Sequence, residues 1–167
     1  MRLFTAFLPD EKTKQKLKEI QDALRQKGIQ GRFQEPSNLH MTYVYIGEYE
    51  DADQVTEILR RVPFEPCTLY PAGIEVFKKN ICVLRFQEDK KLNAYVGRLK
   101  NTMKENNIPH DPTDFLAHIT LVRRADPILS VTADLFSLPM ELNAVSLMWS
   151  HRVDEKLVYT ELKRIHF

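Results

Sequence analysis

Two short stretches hold the residues best suited to chemistry: Leu39-His40-Met41-Thr42 and Ala117-His118-Ile119-Thr120. Each is a His, one apolar residue and a Thr inside an apolar run. Side chains along a strand alternate faces with period two. His40 and Thr42 should therefore share one face and Met41 the other, and His118, Thr120 and Ile119 should repeat the arrangement. An imidazole titrates at about 6.5 when unperturbed, so near neutral pH it can give or take a proton. A hydroxyl beside it can donate to a developing oxyanion. Two such pairs flanking one phosphorus would supply a base for water, an acid for the departing oxygen, and donors for the non-bridging oxygens. The copies stand about half a chain apart in 167 residues. That spacing predicts two similar lobes, each bringing one pair to a shared cleft.

The surrounding elements follow from periodicity and punctuation. Arg2 to Leu8 reads as a first strand, ended by Pro9-Asp10. Asp10 is a good N-cap for a helix to Lys27, with Leu17, Ile20, Ala23 and Leu24 as its apolar stripe and Gly28 as its stop. Its lysines, Lys12, Lys14, Lys16 and Lys18, read as a solvated face. Residues 29–38 read as a loop or edge strand. Leu39 to Ile46 is the first organising strand. Further helices are expected over Asp51–Arg61 and Asp89–Glu105. Cys67–Phe77 and Asn80–Phe86 read as strands joined in a hairpin by Lys78-Lys79-Asn80. Residues 106–114, with Pro109 and Pro112, form a loop. Phe115–Arg123 is the second organising strand, and Ala125–Ser137 reads as loop with a short helical turn. Met140–Ser150 and Leu157–Ile165 close the chain around a turn at 152–156. The mixture is α+β with mostly antiparallel sheets.

Composition sets bounds. With 43% hydrophobic and 28% charged residues, the chain can bury a sizeable core. A net charge of +1 gives no bulk field for nucleic acid, so any RNA must be held by a local cluster. Cys67 and Cys82 read as buried free thiols in a reducing compartment. The N-terminus lacks a signal-peptide apolar region, and no stretch reaches the ~20 apolar residues of a membrane span. A cytoplasmic, monomeric protein without membrane attachment is expected. A histidine zinc site is disfavoured: no His pair has i, i+4 spacing and no acidic ligand accompanies them. His110 and His151 read mainly as surface or turn residues, and His166 as terminal. Phe7, Tyr43, Tyr45 and Trp149 could stack a base, although strand aromatics are more often core.

These motifs resemble the 2H phosphoesterase superfamily, and most of all the bacterial and archaeal RNA 2',3'-cyclic phosphodiesterases, once called 2'-5' RNA ligases. The resemblance runs from Arg2-Leu3-Phe4-Thr5-Ala6-Phe7 through Arg32-Phe33 and Pro36-Ser37-Asn38 to the first motif and Ile46-Gly47. It continues at Phe115, His118–Arg123, Val145–Ser150 and Tyr159. Ala117 stands where the family usually has Pro, and Tyr43 where Leu is common. The resemblance implies a single bilobal domain over 1–167, with two mostly antiparallel β-sheets facing a central cleft, helices packed outside and a pseudo-twofold duplication. It implies His40 and His118 as the catalytic pair, Thr42, Thr120 and Arg123 as phosphate-binding residues, and neither metal nor cofactor. Strict alternation from His118 would instead point Arg124 into the site, unless a bulge after Leu121 resets the parity. His118 is assigned as base and His40 as acid, although the sequence alone leaves the pair interchangeable. The partners implied are RNA ends or a small cyclic phosphodiester, with a 2'-phosphate product and 2'-5' ligation as a secondary activity. Alternatives are a 2'-5' oligonucleotide, a cyclic nucleotide or ADP-ribose cyclic phosphate as substrate, or an RNA-binding module.

Overall fold

Each α-helix starts where an aspartate can cap it. In the computed structural model, which describes residues 1–127 and 139–167, Asp10, Asp51 and Asp89 accept from the backbone N–H of Thr13, Gln54 and Leu92 at 2.8–2.9 Å. These caps open α1 (Glu11–Gln26), α2 (Ala52–Arg61) and α3 (Lys90–Glu105). The strands are β1 (Arg2–Phe7), β2 (Gln30–Phe33), β3 (Met41–Glu48), β4 (Cys67–Leu69), β5 (Pro71–Phe77), β6 (Ile81–Phe86), β7 (His118–Asp126), β8 (Met140–Leu142), β9 (Ala144–Val153) and β10 (Lys156–His166). They form one four-stranded sheet ordered β10-β9-β1-β3 and a second ordered β2-β7-β6-β5, all neighbours antiparallel. The α+β class and the two sheets match the expectation.

A third, two-stranded sheet, β4-β8, was not expected. It arises because two runs that read as single strands are broken. Cys67–Phe77 splits at Tyr70 and Met140–Ser150 splits at Asn143, and each first piece pairs with the other. Residues 30–33 are the edge strand β2. The Lys79-Asn80 turn of the β5–β6 hairpin has φ of 62° and 58°, the left-handed pair that suits a right-twisted ribbon. Ala125 and Asp126 end β7, and the remainder of the Ala125–Ser137 expectation from 128 onward lies outside the described residues.

One apolar core joins the two sheets. Leu3, Met41 and Leu147 from the first sheet meet Leu84, Phe86 and Ile119 from the second in one cluster, each at most 1% exposed. α1 packs against β7, and α2 and α3 pack against strands of the first sheet. The expected stripe of α1 is modified: Gln21, not Ala23, is buried beside Leu17, Ile20 and Leu24. The opposite face of the first sheet carries its own small apolar patch of Phe4, Ala6 and Met148, edged by Leu8 and Tyr159. Met41 and Ile119 are both fully buried. By strand alternation their neighbours His40, Thr42, His118 and Thr120 are turned away from the core.

Candidate active site

His40 sits just ahead of β3, after a 3-10 turn at Pro36–Asn38. The Asn38 side chain donates to the Leu157 carbonyl on β10 at 3.4 Å, tying that turn to the first sheet. The His40 Nδ1–H donates to the Asn38 carbonyl at 2.7 Å. In the second copy the His118 Nδ1–H donates to the Leu116 carbonyl at 2.6 Å. A carbonyl can only accept, so both rings hold their proton on Nδ1 and keep Nε2 as the free nitrogen. The two copies therefore share one anchoring device, a bond to the carbonyl two residues back. Aromatic rings fix the imidazole planes. Tyr159 meets His40 edge-on at 5.1 Å between centroids, Phe4 lies 5.0 Å from it, and Phe77 meets His118 at 5.0 Å. Thr42 and Thr120 are partly exposed, and among the described residues neither hydroxyl has a hydrogen-bond partner.

Arg123, not Arg124, shares the face of His118. Along β7 both Leu121 and Val122 are buried, breaking the alternation. Against β6, Cys82 pairs with Val122 and Val83 with Thr120, so Leu121 is the extra residue of a bulge. The extra carbonyl does not go unsatisfied: Leu121 O accepts from the Gln34 N–H at 2.9 Å and from Gln21 Nε2 at 3.0 Å. Past the bulge, Arg123 is half-buried, while Arg124 is exposed with φ of 54°.

Gly31 completes this support. It has φ of +146°, and a Cβ there would lie 2.7 Å from the Arg124 carbonyl oxygen and 2.8 Å from that of Arg123. Only a residue without a side chain lets β2 approach β7 so closely. Gly31→Ala is expected to cost about 2–3 kcal/mol of stability and to lower turnover by displacing Arg123. Gly28→Ala, at φ of +91° with open space around it, should leave turnover unchanged. Thermal melts and steady-state rates on the two variants check this.

Electrostatics bring the groups together. Burial pushes the His40 pKa down to about 4; the Asn38 carbonyl opposes that, and Arg123 and His118 add to it. Burial also lowers His118, opposed by the Leu116 carbonyl and reinforced by Arg85 and Arg123. The guanidinium of Arg123 thus lies within electrostatic reach of both imidazoles. Arg85, unnoticed in the sequence, faces His118 directly across the β6–β7 ladder.

A pH dependence follows. Both histidines are lowered, so the free pair carries a single proton only below pH 6.5. A reaction needing one acid and one base should show kcat/KM peaking below pH 6.5 and falling toward tenfold per pH unit well above it. An optimum at pH 7.5 or higher would contradict this. The same depression stabilises the fold above pH 6.5 and is lost as pH falls toward 4, because the unfolded ring gains its proton first.

Tyr43 and Phe7 are buried in the core, at 3% and 7% exposure, and cannot serve as base platforms. Trp149 is partly buried and stacks on His151 at 3.8 Å. Tyr45 is 42% exposed. The His110 Nδ1–H donates to the Ile108 carbonyl at 3.1 Å. His151 Nε2 lies 2.7 Å from the Thr160 hydroxyl. Cys67 and Cys82 are buried free thiols, both raised to about 11 by burial. Among the described residues no three His, Cys, Asp or Glu side chains converge as metal ligands, and no described helix is long and apolar enough to cross a membrane.

The fold and the sequence both match known proteins. Residues 8–83 match the family described as LigT like phosphoesterase. The Escherichia coli LigT crystal structure has the same fold, with a TM-score of 0.88 over 99% of this chain and 96% of that one at 20% identity. The crystal structure of TT0787 of Thermus thermophilus aligns at 0.83 over 99% and 97% with 25% identity. Over residues 8–83 the chain thus matches the LigT-like phosphoesterases, and along its length it shares the fold of LigT. It is similar to the RNA 2',3'-cyclic phosphodiesterase of Archaeoglobus fulgidus, at 29% identity over 136 residues, 76% of each chain.

Proposed function

We propose that this protein hydrolyses 2',3'-cyclic phosphate ends of RNA to 2'-phosphates, without a metal ion, with His40 and His118 as its acid and base. The observation that carries the reading is the matched anchoring of two imidazoles by Nδ1, one beside each of two sheets, with the Arg123 charge acting on both. The sequence relative named for this activity supports the choice of substrate.

In this mechanism His118 Nε2 takes a proton from water as the water oxygen attacks phosphorus. The P–O3' bond breaks, and the protonated Nε2 of His40 gives its proton to the departing 3'-oxygen. The product holds a 2'-phosphate and a free 3'-hydroxyl. As the acid, His40 must enter the reaction charged, against the burial that lowers its pKa to about 4. The bound phosphate anion favours that charged form. Thr42, Thr120 and Arg123 hold the non-bridging oxygens. An RNA 5'-hydroxyl in place of water would yield a 2'-5' bond by the same steps. Turnover of an oligonucleotide ending in a 2',3'-cyclic phosphate, undiminished by EDTA, is the expected result. Complete loss of turnover in EDTA would overturn the metal-independent mechanism.

A further inference from the structure

Arg85 breaks an otherwise apolar strand, Ile81-Cys82-Val83-Leu84-Arg85-Phe86. Its neighbours Leu84 and Phe86 are core residues at 0% and 1% exposure, so Arg85 is turned to the opposite face, that of His118. Its Nε is sealed from solvent and has no hydrogen-bond partner. A guanidinium nitrogen in that state is costly unless something pairs with it. Among the described residues nothing does: across the ladder Arg85 meets Gly73 on β5 and His118 on β7. Glu75 lies opposite Val83, is exposed, and forms no ion pair with Arg85. Among the described residues Arg85 forms no ion pair.

Arg123 and Arg85 occupy different places. Arg123 lies on β7 beyond Thr120 and the Leu121 bulge, and its charge reaches both histidines. Arg85 lies level with His118 on the neighbouring strand β6. The anion that fits Arg85 is thus displaced to the His118 side of the phosphate being cleaved. An RNA end brings such an anion covalently with it.

We infer that Arg85 binds a second substrate phosphate, the one on the 5' side of the terminal nucleoside, so that the site prefers a 5'-phosphorylated or chain-linked nucleotide over a lone nucleoside cyclic phosphate. This rests on the hydrolase reading above for the place of the first phosphate. Guanidinium forks match phosphate oxygens two at a time. A lysine would supply the charge without the fork.

The test uses unreactive ligands, so it does not depend on turnover. Adenosine 3',5'-bisphosphate and 3'-AMP are titrated against the wild-type protein, Arg85→Gln and Arg85→Lys. The bisphosphate is expected to bind the wild type about 10-fold more tightly than 3'-AMP, the size of one charge-assisted contact. Arg85→Gln should abolish that advantage and Arg85→Lys should keep part of it, with melting temperatures showing both variants folded. Equal affinity of the wild type for both ligands would overturn the inference. So would an equal loss for both in Arg85→Gln, which would put Arg85 on the first phosphate. Absence of turnover on cyclic phosphates with the bisphosphate advantage retained would overturn the hydrolase reading and leave the assignment of Arg85 standing.

Discussion

His40→Ala and His118→Ala are each expected to lower kcat on a cyclic-phosphate RNA end by ~10²–10⁴-fold, with the double variant little worse than the poorer single one. The magnitude is that of removing one positioned acid or base. The non-additivity follows from the two rings acting in one concerted proton exchange: once either is gone, the other has no step to complete. His40 also packs between Phe4 and Tyr159, so alanine there removes apolar contact as well as chemistry. His40→Gln separates the two, because it fills the space without a group that titrates near neutral pH. Turnover should be lost in His40→Gln while the melting temperature stays near wild type. Additive losses in the double variant, or near-wild-type rates in any single one, would mean that the histidines do not act as a pair.

Arg123→Ala is expected to cost ~10²–10³-fold in kcat, and Arg124→Ala less than about 2-fold. A preorganised donor aimed at developing charge has effects of the first size. The second figure follows from position, since Arg124 is exposed. The pair of variants tests the β7 bulge as much as the arginine. Strict alternation from His118 would reverse the ranking. Steady-state rates on one substrate decide it. A larger loss in Arg124→Ala would mean that the Leu121 bulge does not set the parity of the site.

Much of this organisation was legible in the sequence because strand and helix periodicities report burial directly. Met41 and Ile119, flanked by His and Thr, are core residues whose neighbours face away from the core. Asp10, Asp51 and Asp89 marked the helix starts within one residue. What could not be read involves departures from period two. The bulge at Leu121 depends on a carbonyl satisfied by Gln21, one hundred residues away, and no local pattern carries that information. Gln21 itself lies on the apolar stripe, at i+4 from Leu17 and i−3 from Leu24, but its polar side chain hid its burial. The splits at Tyr70 and Asn143 were hidden because each apolar run continues across its break into a different sheet. Arg85 had a signal, a charge within five apolar residues, but in a strand read as hairpin and core it attracted no role. Tyr43 was open to both core and base-stacking readings, and its burial, with the Tyr95 ring 5.8 Å away, settles it as core.

In the proposed mechanism one histidine delivers a proton to the 3'-oxygen while the other activates water. The most direct measurement resolves the ends produced from an RNA oligonucleotide that terminates in a 2',3'-cyclic phosphate, incubated with the protein in EDTA. A 2'-phosphate product, absent with His40→Ala and with His118→Ala, is the expected result. A 3'-phosphate product would contradict the assigned leaving group, and an uncleaved cyclic end would contradict the hydrolase assignment itself.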